Sequence, residues 1–184
     1  MRDQHDTHET HNHQQDRPDL GRRAFTGLAA TGAALTLIPM RTWAAANITA
    51  LCVMCIDYRL VDRAIQFFDT KVGVKEYDLV ALAGASLAAV GPAFPGSNAA
   101  FWDHIGIAKS LHNIKKVVIL DHRECGAYGV QYGTLYAGAG QPEFDQHQQI
   151  MKLVKGEAER RKVGLPFEFY LMPADGGPMV SVPV

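Results

Sequence analysis

From residue 47 onward, short apolar runs alternate with amphipathic segments. Residues 47–55, 77–84, 115–121 and 166–172 are short, apolar and partly β-branched or aromatic, which predicts buried strands. Apolar residues recur three or four apart in 59–68, in 97–113 and after Pro142, which predicts helices, with Ser97 as a candidate N-cap. This alternation predicts an α/β fold, in which a central, mostly parallel β-sheet of about four strands is flanked by helices. The segment "PMVSV" near the C-terminus predicts an added edge strand.

The first 46 residues differ from the rest of the chain. A polar leader precedes the pair Arg22-Arg23, and an apolar run of Ala, Gly, Thr and Leu then ends at "AAA" over residues 44–46. This order is typical of a twin-arginine export signal. We therefore predict a cleaved signal peptide over 1–46, a mature domain over 47–184 and a periplasmic location. The apolar run carries two glycines and is short for a membrane anchor, so no stable membrane insertion is expected after cleavage.

Charge and cysteine content narrow the function. The formal net charge is -1, with 18 Lys and Arg against 19 Asp and Glu, so no basic excess favours a nucleic-acid partner. Two of the three cysteines lie in "LCVMCIDYR", where Cys52 and Cys55 stand three apart. That spacing fits a redox pair, half of a structural metal site, or one working cysteine beside an inert one. Residues three apart on a strand face opposite sides, which disfavours the redox pair.

Two polar motifs follow predicted strands. "CIDYR" places Cys55, Asp57 and Arg59 after the first strand, and "HREC" places His122 and Cys125 after the third. The carboxyl ends of parallel strands meet at one edge of a sheet, where such folds place their sites. Cysteine and histidine are ligands that zinc prefers. The fourth ligand position is left open between water and a carboxylate, and Gly126 is expected to ease the turn after Cys125.

Together, the C-x-D-x-R and H-x-x-C-G elements resemble those of the β-class carbonic anhydrases, over roughly Ile48 to Met172. The resemblance implies that zinc is held by Cys55, His122 and Cys125. It also implies an Asp57–Arg59 catalytic dyad, and reversible hydration of CO2 to bicarbonate through zinc-bound hydroxide. A homodimer or higher homo-oligomer is expected on the same ground.

One departure from this resemblance leaves other functions open. Ala81 and Leu82 stand where the family commonly carries an Arg-Asn pair. The alternatives are a zinc-binding protein without CO2 hydration, its fourth position filled by Asp57, or a hydrolase of a CO2 analogue such as COS or CS2. His147 lies on an apolar helical stripe and is expected in the core or an interface rather than as a ligand.

Overall fold

The computed structural model describes residues 47–133 and 140–184. The predicted signal peptide over 1–46 therefore lies outside the described residues. Within the described ranges, no helix combines the length and apolar character needed to cross a membrane.

Five strands form one sheet in the order β2-β1-β3-β4-β5. The first four are parallel, and β5 pairs antiparallel with β4 at the edge. Their bounds are Ala50–Met54 (β1), Tyr77–Ala81 (β2), Lys116–His122 (β3), Phe167–Met172 (β4) and Val180–Ser181 (β5). The predicted α/β fold, with a mostly parallel sheet and a C-terminal edge strand, is confirmed.

Helices cover both faces of the sheet. The α-helices of the described residues are Val61–Lys71 (α1), Ser86–Val90 (α2), Pro95–His112 (α3), Gly126–Tyr132 (α4) and Gln141–Arg160 (α5), and a 3-10 helix, Tyr58–Leu60, precedes α1. Alternate strand residues divide between two apolar clusters, as the two-residue period of a strand requires. One cluster joins α1 to Cys52 and Leu120, and the other joins α2, α3 and α5 to Val53 and Ile119.

Two local predictions are wrong. The third helix begins at Pro95, so Ser97 lies inside it and is not its N-cap. Proline suits the first turn of a helix because the N–H it lacks has no intrahelical acceptor there. The second strand ends at Ala81 rather than Gly84, and the chain then turns into the short helix α2, which the apolar pattern does not predict.

Candidate metal centre

Three buried side chains converge at the carboxyl edge of the sheet. Cys55 directly follows β1, His122 ends β3, and Cys125 directly precedes α4. Their ligand atoms lie within 4.8 Å of one another, and the two sulfur atoms are 3.8 Å apart. Cys52 instead packs on the opposite face with α1, as strand geometry predicts. The fold thus brings together the three residues that the resemblance implies as zinc ligands.

The histidine presents a free nitrogen to this group. His122 Nδ1 donates a hydrogen bond to the Arg123 carbonyl at 2.8 Å, which leaves Nε2 with a lone pair. That Nε2 is buried and has no hydrogen-bond partner among the residues that the structure describes. A backbone acceptor on the other ring nitrogen is the usual way in which proteins orient a ligating histidine. Two thiols and one such imidazole fit a thiophilic, tetrahedral metal ion.

Hydrogen bonds to the sulfur of Cys55 favour its thiolate. The Cys125 thiol, 3.8 Å away, is the largest influence, and the Gly84 N–H, 3.3 Å from Sγ, adds to it, so the pKa of Cys55 is lowered against the effect of burial. The same contact between the sulfurs, together with burial, raises the pKa of Cys125. The two sulfurs thus share a hydrogen bond, and binding both of them to a metal as thiolates releases the proton between them.

A charged pair lies at the rim of the site. Arg59 Nε and Nη2 donate to the two oxygens of Asp57 at 2.9 and 2.5 Å, and the Arg59 backbone N–H adds a bond of 3.1 Å. These hydrogen bonds lower the pKa of Asp57 to about 2. Asp57 Oδ2 lies 4.0 Å from His122 Nε2, which places an ionised carboxylate beside the candidate metal position.

A cavity of about 410 Å³ opens beside His122. Its lining includes charges of both signs, namely Arg59, Arg63, Arg123, Glu124 and Asp175, with Met172 and the turn at 173–176. The Arg63 guanidinium donates to the carbonyls of Pro173 and Gly177 at 3.2 and 2.9 Å, which ties that turn to α1. The cavity beside His122 is thus a polar recess in which Arg59 and Arg123 are paired with carboxylates.

The loop between β2 and α2 supports Cys55 through a glycine. Gly84 has φ +78°, and a Cβ there would stand 2.9 Å from Leu87 Cβ and 3.1 Å from Ala127 Cβ. The expectation that Gly126 eases the turn after Cys125 is wrong. A Cβ at Gly126 would meet nothing within 4 Å, and the left-handed residue of that loop is Glu124, at φ 57°.

We expect Gly84→Ala to lower the free energy of unfolding by about 1–3 kcal/mol, because it combines an unfavourable φ with two close contacts. Gly126→Ala is the matched control, since the added methyl group points into open space. Urea unfolding followed by circular dichroism measures both variants. Equal midpoints for the two alanines would contradict this account of Gly84.

Sequence reasoning missed the buried carboxylates that surround the ligands. Asp121, directly before His122, and Glu143, in the first turn of α5, are both almost fully inaccessible to solvent. The sequence signal for Asp121 is a carboxylate at the end of the apolar run "KKVVILD", because a buried charge requires partners. No comparable local signal marks Glu143.

Fold and site define an α/β protein with a candidate Cys–His–Cys metal centre at the carboxyl edge of its sheet. The chain belongs to the family described as "Putative carbonic anhydrase", whose sequence model matches residues 45–157. The resemblance inferred from the two motifs is thereby confirmed at the level of this family.

The chain is also similar to two curated proteins and to one solved structure. An uncharacterized protein of Rickettsia conorii is 33% identical over 129 residues, covering 70% of this chain and 69% of the relative. An uncharacterized protein of Rickettsia bellii is 31% identical over 128 residues, covering 70% and 78%. The crystal structure of the β-carbonic anhydrase CafA of Aspergillus fumigatus is similar over 74% of this chain and 76% of that chain, with 16% identity and a TM-score of 0.41.

Proposed function

We propose that this protein is a zinc-dependent carbonic anhydrase, which hydrates CO2 to bicarbonate and catalyses the reverse reaction. The observation that carries the proposal is the spacing of the metal centre. Zn–S bonds of about 2.3 Å at tetrahedral angles hold two thiolates about 3.8 Å apart. The sulfurs of Cys55 and Cys125 stand 3.8 Å apart, with a buried imidazole nitrogen beside them. Membership of the carbonic anhydrase family supports the same chemistry.

The residues of the site have distinct roles. Cys55, Cys125 and Nε2 of His122 would hold zinc, which supplies the Lewis acidity that activates water at neutral pH. Asp57 then accepts a hydrogen bond at its carboxylate from the reacting water and so orients the attacking oxygen. With a pKa of about 2, Asp57 remains an acceptor at neutral pH and does not itself keep the proton.

Arg59 fixes the position and charge of Asp57. Its guanidinium bonds both carboxylate oxygens, which restricts rotation of the carboxylate and favours its ionised form. Because two thiolates lessen the Lewis acidity of a zinc ion, a well-oriented acceptor contributes more here than it would beside three neutral imidazoles.

A second candidate is a zinc-binding protein that does not turn over CO2. Asp57 Oδ2 lies 4.0 Å from His122 Nε2, so a rotation that breaks its bonds to Arg59 would bring the carboxylate towards the fourth ligand position. Leu82, which replaces a polar family residue, packs against the apolar core and supplies no hydrogen bond to the site. Both observations favour a site closed by Asp57.

One experiment separates the candidates. The purified chain is assayed for zinc content by elemental analysis and for CO2 hydration by stopped-flow indicator kinetics, with COS as a parallel substrate. One zinc per chain with accelerated CO2 hydration supports the proposal. Zinc without hydration of CO2 supports a closed site, or an analogue hydrolase if COS is consumed. A chain that takes up no zinc rejects both candidates.

A further inference from the structure

A buried hydrogen-bonded cluster is centred on Asp121. Its Oδ1 accepts the backbone N–H of Ser86 at 2.8 Å. Its Oδ2 accepts three further bonds, from Ser86 Oγ at 2.5 Å, Tyr128 Oη at 2.8 Å and His147 Nδ1 at 2.8 Å. All four side chains are at most 1% exposed. Four donors from three different elements thus converge on a single carboxylate.

Three of the four elements that meet at Asp121 carry or adjoin part of the metal centre. Asp121 itself precedes His122 in β3. Ser86 lies two residues after Gly84, whose N–H contacts the Cys55 sulfur. Tyr128 lies three residues after Cys125, and its backbone N–H donates to the Cys125 carbonyl at 3.1 Å. The carboxylate therefore links the parts of the backbone that determine where the three ligands stand.

Helix α5, which bonds Asp121 through His147, also restrains the loop between His122 and Cys125 through a buried glutamate. Glu143 lies one turn before His147, so both project from the same side of α5. Glu143 Oε1 accepts the Glu124 N–H at 2.5 Å, and Oε2 pairs with Arg123 Nη1 at 3.0 Å. Arg123 and Glu124 are the two residues between His122 and Cys125, and Glu124 has the left-handed φ of 57°. The glutamate thereby holds that loop in an unfavourable backbone conformation.

Such a cluster does more than fill volume. Apolar side chains could occupy the same core, whereas each unpaired buried donor costs about 1–3 kcal/mol. A buried polar network restrains its members in direction as well as in distance, although Nε2 of His147 has no hydrogen-bond partner among the described residues. Residues that restrain metal ligands in this way typically change metal affinity by about 10- to 100-fold when altered.

We propose that Ser86, Asp121, Tyr128, Glu143 and His147 form a buried brace that positions Cys55, His122 and Cys125 and so sets the metal affinity of the site. The brace rests on the metal centre of the proposed function, but not on CO2 turnover. Its members are positioning residues, since none of them belongs to the ligand set. A brace that only stabilised the fold would leave the metal affinity of the folded chain unchanged.

Two tyrosines provide a matched test. Tyr128→Phe removes the hydroxyl that bonds Asp121, whereas Tyr77→Phe removes one that bonds Asp69 at 2.9 Å. Tyr77 begins β2 and lies at the opposite end of the sheet from the metal centre. Zinc affinity of the full-length chain is measured by competition with a chromophoric chelator, and the thiolate-to-metal bands of the cobalt-loaded protein report the ligand geometry.

We expect Tyr128→Phe to weaken zinc binding by about 10-fold or more and to shift the cobalt spectrum, while Tyr77→Phe leaves both unchanged. Glu143→Gln is a second variant, at the brace residue that bonds Arg123 and the Glu124 N–H. We expect it also to weaken zinc binding. Wild-type affinity and spectra in both brace variants, with only a lower unfolding midpoint, would overturn the proposal.

The same samples keep the two proposals apart. Zinc binding without CO2 hydration in the wild type contradicts the proposed function, and the affinity ratio of the two tyrosine variants still decides the brace. CO2 hydration by the wild type with equal zinc affinity in all variants supports the function and rejects the brace. A wild-type chain without zinc affinity rejects both.

Discussion

Cys55→Ala is expected to abolish zinc binding and to reduce CO2 hydration by on the order of a thousandfold or more, because one of three protein ligands is lost from the site. The effect should be large since the sulfur of Cys55 is also the thiolate favoured before metal arrives, with the Cys125 thiol and the Gly84 N–H as donors. Removing it leaves one sulfur and one imidazole, which hold zinc poorly. Elemental analysis and stopped-flow hydration assays measure the two losses.

Cys52→Ala is the matched control for that substitution. Cys52 lies three residues earlier and is fully buried, but on the face that packs against α1. Burial raises the pKa of its thiol to about 12, so it is an inert thiol at neutral pH. We expect Cys52→Ala to lower the free energy of unfolding by about 1–2 kcal/mol and to keep full zinc occupancy. Full occupancy in Cys55→Ala, or loss of zinc in Cys52→Ala, would contradict the assignment of the sulfurs.

Short-range patterns account for the correct part of the predicted fold. Strands and long helices are predicted because burial imposes periods of 2 and 3.6 on the residues that face the core. The opposite orientations of Cys52 and Cys55 follow from the strand period alone. Periodicity does not predict helix α2, because its five residues from Ser86 to Val90 are too few to show a period and almost all are buried.

The candidate site is predictable only as far as its motifs are local. Cys55, Asp57 and Arg59 lie within five consecutive residues after β1, and His122 and Cys125 lie three apart at the end of β3, so topology alone brings the two groups to one edge. The support for those ligands comes from residues far away in the chain. Asp121 bonds Ser86, 35 residues earlier, and His147, 26 residues later. The periodicity of apolar residues does not predict such pairings, because each depends on how helices pack across the sheet.

Asp57→Asn is expected to keep one zinc per chain and to reduce CO2 hydration by about 100-fold or more, since the charged acceptor is lost while the metal ligands remain. An asparagine also presents an amide that donates, and it cannot accept both guanidinium bonds from Arg59. Zinc content and stopped-flow hydration, measured on the same preparation, separate binding from turnover. Arg59→Lys is the companion variant, because it keeps the positive charge and removes the two-point contact, and we expect an intermediate loss.

The pH dependence of the wild type then tests the role given to Asp57. Hydrogen bonds from Arg59 lower its pKa to about 2, so the carboxylate is charged across the whole neutral range. Its interaction with Arg59 therefore stabilises the fold above the ordinary carboxyl range, and the stabilisation is lost only as the pH falls towards 2. A group that stays charged in this way cannot make the rate of CO2 hydration fall on the acid side between about pH 8 and 5, that is, it cannot produce an acid limb in the pH profile. If Asp57→Asn removes such a limb, Asp57 exchanges a proton during turnover. If the variant instead loses its zinc, Asp57 is the fourth ligand of a closed site.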